Sequence, residues 1–585
     1  MNQSFKSHAW QRYLSCAGFA CLVMAWLDPS HFRPWTAASS NALSWLALLL
    51  LTGAGLTSRL PLQFPRLALG VFLLSLWPLA QFASGVIFFF GDALLASVYL
   101  MGLAWAIALA FGCAEQNPAF VDWLAGTVVA GALLSALAAT CQWLGIEGLD
   151  GWVYEIEKGM RPYGNFGQPN SLASLLLMGC AAVLYLRLAG KWRALPMALV
   201  IALLLAGVAM SRSRMALLAL FILAAWLWAG RKRLHLSISG REIAAIALGG
   251  AGLWFVWPTF SAFLGLSSVG SWERLTGVGG DVRLTMLTEF LDAAWQRPFS
   301  GWGWNQVSVA HLAVAPDYPH NNMNFSSHNL FVDLMVWNGG LGGMLLSLFI
   351  LAWAALRLRQ VNTLPGWFAL AVVLILGTHA QFEYPLDYAF FLVPCGLCIG
   401  IVEASASARH WRLPGHAAIW PLLLGATLLV TIAREYIIVQ ADYQGFSIYA
   451  THDDWQYARQ LAPEIILLTQ AREHSVFAKS EAKEGLSDAD LAWMHQVVAR
   501  NPHPYALLRY ALALGLHGRP QEAGEMLIAL RQMHQPFMFN WAMGRWQDWQ
   551  RRYPVLEQVK LPAPDEGGLA EDPPRHTTDP MTGER

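Results

Sequence analysis

One histidine in a polar loop, at the threshold of an apolar helix, is where this sequence could do chemistry. His328 stands in Ser326-Ser327-His328-Asn329-Leu330-Phe331, downstream of the Gly-rich stretch Pro298-Phe299-Ser300-Gly301-Trp302-Gly303-Trp304. An imidazole takes or gives a proton near neutral pH with little tuning, so a histidine so placed suits a general base. Ser326 or Ser327 is expected to cap the helix that follows and fix the ring at its mouth. His311, His320 and His379 compete for the same role. Arginines are the second ingredient. Ser211-Arg212-Ser213-Arg214 forms a turn of a few residues between two apolar helices. Positive charge there is costly unless an anion compensates it. The planar fork of Arg212 or Arg214 matches a phosphate, and snorkelling to lipid headgroups is the alternative.

Three more segments carry polar groups. Arg161-Pro162-Tyr163-Gly164-Asn165-Phe166-Gly167-Gln168-Pro169-Asn170 has the Gly and Pro density of a fixed turn. Its Arg161, Tyr163, Asn165, Gln168 and Asn170 could line a cavity at membrane depth, or the loop could be a structural re-entrant turn. In Gln381-Phe382-Glu383-Tyr384-Pro385-Leu386-Asp387 the acids could orient His328 or pair with an arginine, and the aromatics equally suit interface anchors. Arg283, ahead of an amphipathic stretch, has Asp281, Glu289 and Asp292 close enough in sequence for an ion pair. No metal-binding spacing, phosphate-binding loop or dinucleotide fingerprint occurs, so neither metal nor cofactor is expected.

These groups sit in a membrane frame. The 585 residues are 56% hydrophobic with mean hydropathy +0.40. Only 13% are charged, against the ~25% usual for soluble domains, which implies many spans. Zero net charge leaves no nucleic-acid footprint. The Cys395/Cys398 pair lies in an apolar run beside Gly396 and Gly400, where small residues serve packing. Lys6 and Arg12 precede the first apolar run without a cleavage site after it, so it reads as a retained anchor.

The expected fold is an all-α polytopic membrane protein with about 12–13 transmembrane helices. Among its spans, Leu330–Leu356 reads as a single crossing. Basic residues cluster in alternate loops, including Arg59 and Arg66, Arg231 to Arg233, Arg357 and Arg359, and Arg409 and Arg412. By the positive-inside rule those loops are cytoplasmic, and the segment with His328 faces outside, the periplasm of a two-membrane bacterium. The expected division is an N-terminal transmembrane bundle (1–264), a large periplasmic loop (265–329) and C-terminal transmembrane helices (330–433). A periplasmic helical domain (434–562) and a disordered tail (563–585) follow. Two amphipathic stretches joined by Gly518-Arg519-Pro520 suggest a tetratricopeptide-type hairpin in that domain.

Taken together, these motifs resemble the O-antigen ligase and polymerase superfamily (the Wzy_C group), most closely the PglL-like protein O-oligosaccharyltransferases. The likeness rests on Ser213-Arg214 before a helix, Arg283 before Pro298-x-x-Gly301-x-Gly303, and Ser327-His328-Asn329-Leu330-Phe331 with Gly339-Gly340-Leu341-Gly342 downstream. The 161–170 loop and Phe382-Glu383-Tyr384-Pro385-Leu386 look like the protein-glycosylating branch. The resemblance implies en bloc transfer of a glycan from undecaprenyl pyrophosphate to a hydroxyl, here a Ser or Thr of an exported protein such as a type IV pilin. It implies His328 as the catalytic residue, and Arg214 and Arg283 at the pyrophosphate; Arg212 could make the phosphate contact in place of Arg214, and Arg161 is a further pyrophosphate-binding candidate. Sister branches would instead transfer to lipid A-core or lengthen a polysaccharide. From another class, a lipid-linked glycan flippase would need related halves, and no repeat symmetry is visible.

Overall fold

The computed structural model describes residues 2–57, 61–117, 119–149, 151–266, 279–451 and 464–563. Apolar runs become helices throughout. In chain order these are α1 (Asn2–Leu27), α2 (Ala38–Thr57), α3 (Arg66–Leu74), α4 (Trp77–Ala83), α5 (Phe90–Gln116), α6 (Ala119–Leu144) and α7 (Pro169–Leu188). Then come α8 (Ala194–Ser211), α9 (Arg214–Arg233), α10 (Gly240–Phe263), α11 (Gly279–Gln296), α12 (Val307–Val314), α13 (Leu330–Asn338) and α14 (Gly340–Gln360). The last are α15 (Leu364–His379), α16 (Ala389–Ser405), α17 (Ile419–Thr451), α18 (Thr469–Lys479), α19 (Asp488–Arg500), α20 (Pro504–Leu516), α21 (Pro520–Met533) and α22 (Pro536–Arg552). Among the described residues ten helical stretches are long and apolar enough to cross a membrane, and α15 and α16 are shorter apolar helices. The chain is an all-α polytopic membrane protein.

Contacts divide it into two compact units that do not follow the linear order. One holds residues 1–76, 98–277 and 349–431; the other holds 77–97, 278–348 and 432–585.

The first unit is a helix bundle built around α7, which is buried continuously from Ser171 to Leu186. A helix apolar all round belongs inside, and this one has no polar face to give to water. Indole N–H groups tie neighbours together: Trp226 and Trp367 each donate to the other's carbonyl, at 3.0 and 3.2 Å. At one end of the bundle, β1 (Leu62–Pro65) pairs antiparallel with β2 (His410–Leu413), Leu62 opposite Leu413. At that same sort of loop, Arg233 donates to the Leu358 and Arg359 carbonyls. The basic loops that the charge rule assigns to one side are thus hydrogen-bonded pairwise. The ribbon has no counterpart in the sequence reading, because four-residue strands between spans leave no alternation long enough to recognise.

The second unit joins α4, α11–α13 and the C-terminal helices. The apolar run expected to be one span from Leu330 is two helices here, broken at Gly339 with φ +81°. The break has a backbone cause. In a continuous helix the carbonyls of Val336 and Trp337 would accept from residues 340 and 341. Instead Trp302 N–H donates to Val336 at 2.9 Å, Gly303 N–H to Trp337 at 3.2 Å, and Leu341 N–H to Pro298 at 3.1 Å. Gly301, at φ +64°, crosses against Gly339 so closely that a Cβ on either would collide with backbone. Gln81 secures the crossing, donating to the Trp337 carbonyl at 2.8 Å and accepting Trp304 N–H at 3.0 Å. The 298–304 motif is therefore the clamp that terminates α13.

The C-terminal helices are fastened into this unit. The expected hairpin is α20 and α21, followed by α22. Arg500 forks onto Asp92 with two 3.0 Å bonds, between groups 408 positions apart and almost fully buried on the aspartate side. Ser308 donates to the Arg500 carbonyl at 2.9 Å, and Asn321 N–H to that of Gln532 at 2.9 Å. Glu435 accepts the N–H groups of Ile466, Leu467 and Leu468 within 3.1 Å.

Candidate active site

In the first unit the polar loops gather at the bundle end where α8 meets α9. Arg212 closes α8 in the left-handed conformation, φ +52°. That backbone turns its side chain inward: the guanidinium lies 4.0 Å over the Trp254 ring, donates to the Trp254 carbonyl, and is 3% exposed. Arg214, first residue of α9, is by contrast exposed. Ser213 links the turn to the 161–170 loop. Its hydroxyl accepts Ala216 N–H at 3.2 Å, capping α9, and donates to Asn170 Oδ1 at 2.7 Å. Asn170 donates onward to Glu383 at 3.2 Å, and Arg161 Nε donates to the Ser211 carbonyl at 2.8 Å. Arg161, Asn170, Ser213, Arg214 and Glu383 are thus brought together, with Glu383 9% exposed.

The rest of that loop is held from below. Gln142, which sequence reasoning missed, donates to the carbonyls of Tyr154 and Gly164 and accepts the N–H groups of Tyr163 and Gly164, all within 3.0 Å. A glutamine inside an apolar helix was the available signal. Asn165 spends its side chain on Leu27, Trp152 and Tyr154, so it shapes the loop. Gln168 precedes α7 and accepts from Ser171 at 3.3 Å. Tyr163 is half-buried, and burial, with Tyr154 beside it, pushes its phenol up to about 12. Tyr384 is half-buried near Tyr388, and burial raises its phenol too. His379 is fully buried with Nδ1 against Ser174 Oγ at 2.9 Å.

In the second unit His328 sits half-buried at the mouth of α13, at φ +58°. A non-glycine residue there costs about 1–2 kcal/mol, so its surroundings must hold it. They do so with a ring of bonds. Ser326 Oγ accepts His328 N–H at 3.0 Å and donates to Asp333 at 2.7 Å. Ser327 N–H donates to the other Asp333 oxygen at 2.7 Å, and Ser327 Oγ donates to the Asn329 carbonyl at 3.0 Å. The helix cap is Asn329, which accepts from Phe331 and Val332, and not Ser326 or Ser327 as expected. The serines are turned toward Asp333 instead. Arg283 lies on α11, and its side chain is outside the described residues.

Glu289, His311 and His320 form the one cluster among the described residues with a metal-like donor set. Its hydrogen bonds argue otherwise. Nδ1 of His311 accepts Asn324 N–H at 3.2 Å, and Nδ1 of His320 accepts Asn322 N–H at 3.3 Å. Each ring proton is thereby placed on Nε2, the atom that faces the carboxylate. His320 Nε2 is 2.7 Å from Glu289, a hydrogen-bond separation, whereas two donors sharing a tetrahedral zinc stand about 3.3 Å apart. His311 Nε2 lies 3.2 Å from the other oxygen, out of line for a hydrogen bond to it. Burial takes His311 down to about 3 and raises Glu289. His311 is thus a neutral imidazole beside a buried carboxyl group. Of the four competing histidines, His328 is half-buried, His379 is fully buried, and the side chains of His311 and His320 are 0% and 3% exposed.

Residues 197–347 match the O-antigen ligase family, 162–186 the protein glycosylation ligase family, and 367–547 the C-terminal region of virulence factor membrane-bound polymerases. The chain is similar to a general O-oligosaccharyltransferase of Acinetobacter baylyi (strain ATCC 33305 / BD413 / ADP1). The two are 29% identical over 544 residues, covering 90% of this chain and 94% of the relative. A ComP-specific O-oligosaccharyltransferase of the same organism is 28% identical over 247 residues, 42% of this chain and 44% of that one.

Proposed function

The chain belongs to the O-antigen ligase family and is a glycosyltransferase, and we propose that it is a protein O-oligosaccharyltransferase. It takes a glycan en bloc from undecaprenyl pyrophosphate in the inner membrane and passes it, on the periplasmic side, to a Ser or Thr of an exported protein such as a pilin. The observation that carries the reading is the presentation of His328: a half-buried histidine at the mouth of α13, held in a left-handed turn by bonds that run through Ser326 to Asp333.

In this reading His328 takes the proton of the acceptor hydroxyl, a contribution of about 10²–10⁴-fold. The hydroxyl oxygen bonds to the sugar's anomeric carbon, and the bond from that carbon to the pyrophosphate oxygen breaks, its electron pair leaving with the lipid pyrophosphate. Arg214 and Arg283 stabilise that growing charge, with Arg161 beside the arginine turn and Arg212 inside it. Asn170, Glu383 and Tyr384 border the donor's sugar, with Tyr163, Asn165 and Gln168 in the loop behind. Similarity along most of a general O-oligosaccharyltransferase supports protein, over lipid A-core or a growing polymer, as acceptor. The C-terminal helices would select that protein, since their described residues hold no catalytic constellation.

The test is expression in a cell that makes one defined undecaprenyl-linked glycan, with and without a candidate pilin. Glycan should appear on the protein and vanish with His328→Ala at normal enzyme levels. Glycan on lipid A-core alone, or unchanged transfer by the variant, refutes the reading.

A further inference from the structure

We propose that Asp333 is a positioning residue for His328, acting through Ser326, and that turnover depends on it although it meets neither substrate. This rests on the reading of His328 as the transferring base.

Asp333 lies one turn into α13, 3% exposed, in the apolar run Leu330-Phe331-Val332-Asp333-Leu334. A buried carboxylate is costly, and a leucine would pack there without that cost. What the carboxylate does is hold the loop before the helix. One oxygen takes the Ser326 hydroxyl and the other the Ser327 N–H, each at 2.7 Å. Because Ser326 gives its proton to Asp333, its oxygen is left facing His328 N–H, which it accepts at 3.0 Å. The chain of bonds thus runs from the helix interior to the one residue of the loop 326–329 whose backbone is left-handed. Burial raises the Asp333 carboxyl, opposed by the donors of Ser327 and Ser326 and by His328 nearby. Without the clamp, residue 328 would relax to negative φ and swing the imidazole to another direction. Misplacement of a reacting group by about 1 Å can cost about a hundredfold in rate.

The experiment measures kcat and acceptor KM with lipid-linked donor and acceptor protein, for membranes matched in enzyme content. Ser326→Ala and Asp333→Ala should each lower kcat about a hundredfold with KM changed by less than about twofold. Ser326→Thr keeps the hydroxyl and should restore kcat, whereas Asp333→Asn keeps one acceptor and should fall between. A loss appearing in KM alone, or normal kcat in both alanine variants, overturns the proposal. Should Asp333→Ala fail to accumulate, the Ser326 pair decides: equal rates for the alanine and threonine variants overturn it. His328→Ala, assayed alongside, separates the two readings. If it turns over normally, the functional reading falls; if it is dead while Asp333→Ala and Ser326→Ala are normal, only the positioning role falls.

Discussion

Two turns in this molecule, Ser211–Arg214 and Ser326–Asn329, each place a non-glycine residue in the left-handed conformation just before a helix, and they use it in opposite ways. At the first, the strained residue is Arg212, and its side chain is sunk against Trp254. The exposed group is its neighbour Arg214, carried on the regular first turn of α9. At the second, the strained residue is His328 itself, and the buried anchor is Asp333, five positions on. Strain at Arg212 is therefore offset by packing of the same side chain, while strain at His328 is offset by bonds made by others. On the proposed reading, a base that must meet its substrate at one angle gains from being set by its backbone, whereas a phosphate ligand with a fork and a long stem needs only a firm root.

If that contrast is right, the two arginines should fail differently. Arg214→Lys, and likewise Arg283→Lys, should lower the transfer rate about a hundredfold, because lysine keeps the charge and loses the two-pronged fit. The check is glycan transfer at saturating donor, and wild-type rates in both would reduce these arginines to bulk electrostatics. Arg212→Gly is expected to do less to rate and more to the fold. Glycine accepts the backbone angle but gives up the buried charged bond, a net loss of about 1–2 kcal/mol, read as earlier thermal unfolding in detergent. A variant as stable as the parent but inactive would move the phosphate contact to Arg212. The smallest effect expected is none: excess EDTA should leave transfer by the purified enzyme unchanged, since the His311 and His320 tautomers turn N–H groups toward Glu289. Loss restored by added Zn²⁺ or Mn²⁺ would mean that those rings reverse their protons.

Helices and polar loops were legible because a membrane demands long apolar runs and leaves polar residues only where they have partners. His328 and the arginine turn stood out for that reason. The break at Gly339 did not, because the run is apolar on both sides of it and its cause lies in the backbone of residues 298–303. The cap was misplaced for a related reason: serine before a helix is a strong signal, but here Asp333 competes for both serines and leaves the cap to Asn329. Asp333 itself was visible as a lone acid in an apolar helix near the candidate base. Gln142 showed only as a glutamine in an apolar helix, and neither its role nor the Glu289 cluster could be assembled from the sequence, since their partners are brought to them only by tertiary folding.

The ion pair of Asp92 with Arg500 has a consequence in time. Asp92 leaves the ribosome 408 residues before its partner exists. At about 5–20 residues per second, that interval is roughly 20–80 s. Through it, a carboxylate destined for burial at the head of α5 stays unsatisfied, while α5 to α10 are already made. The second unit thus cannot close until the last quarter of the chain has been made, which makes its C-terminal helices the closing step of its folding.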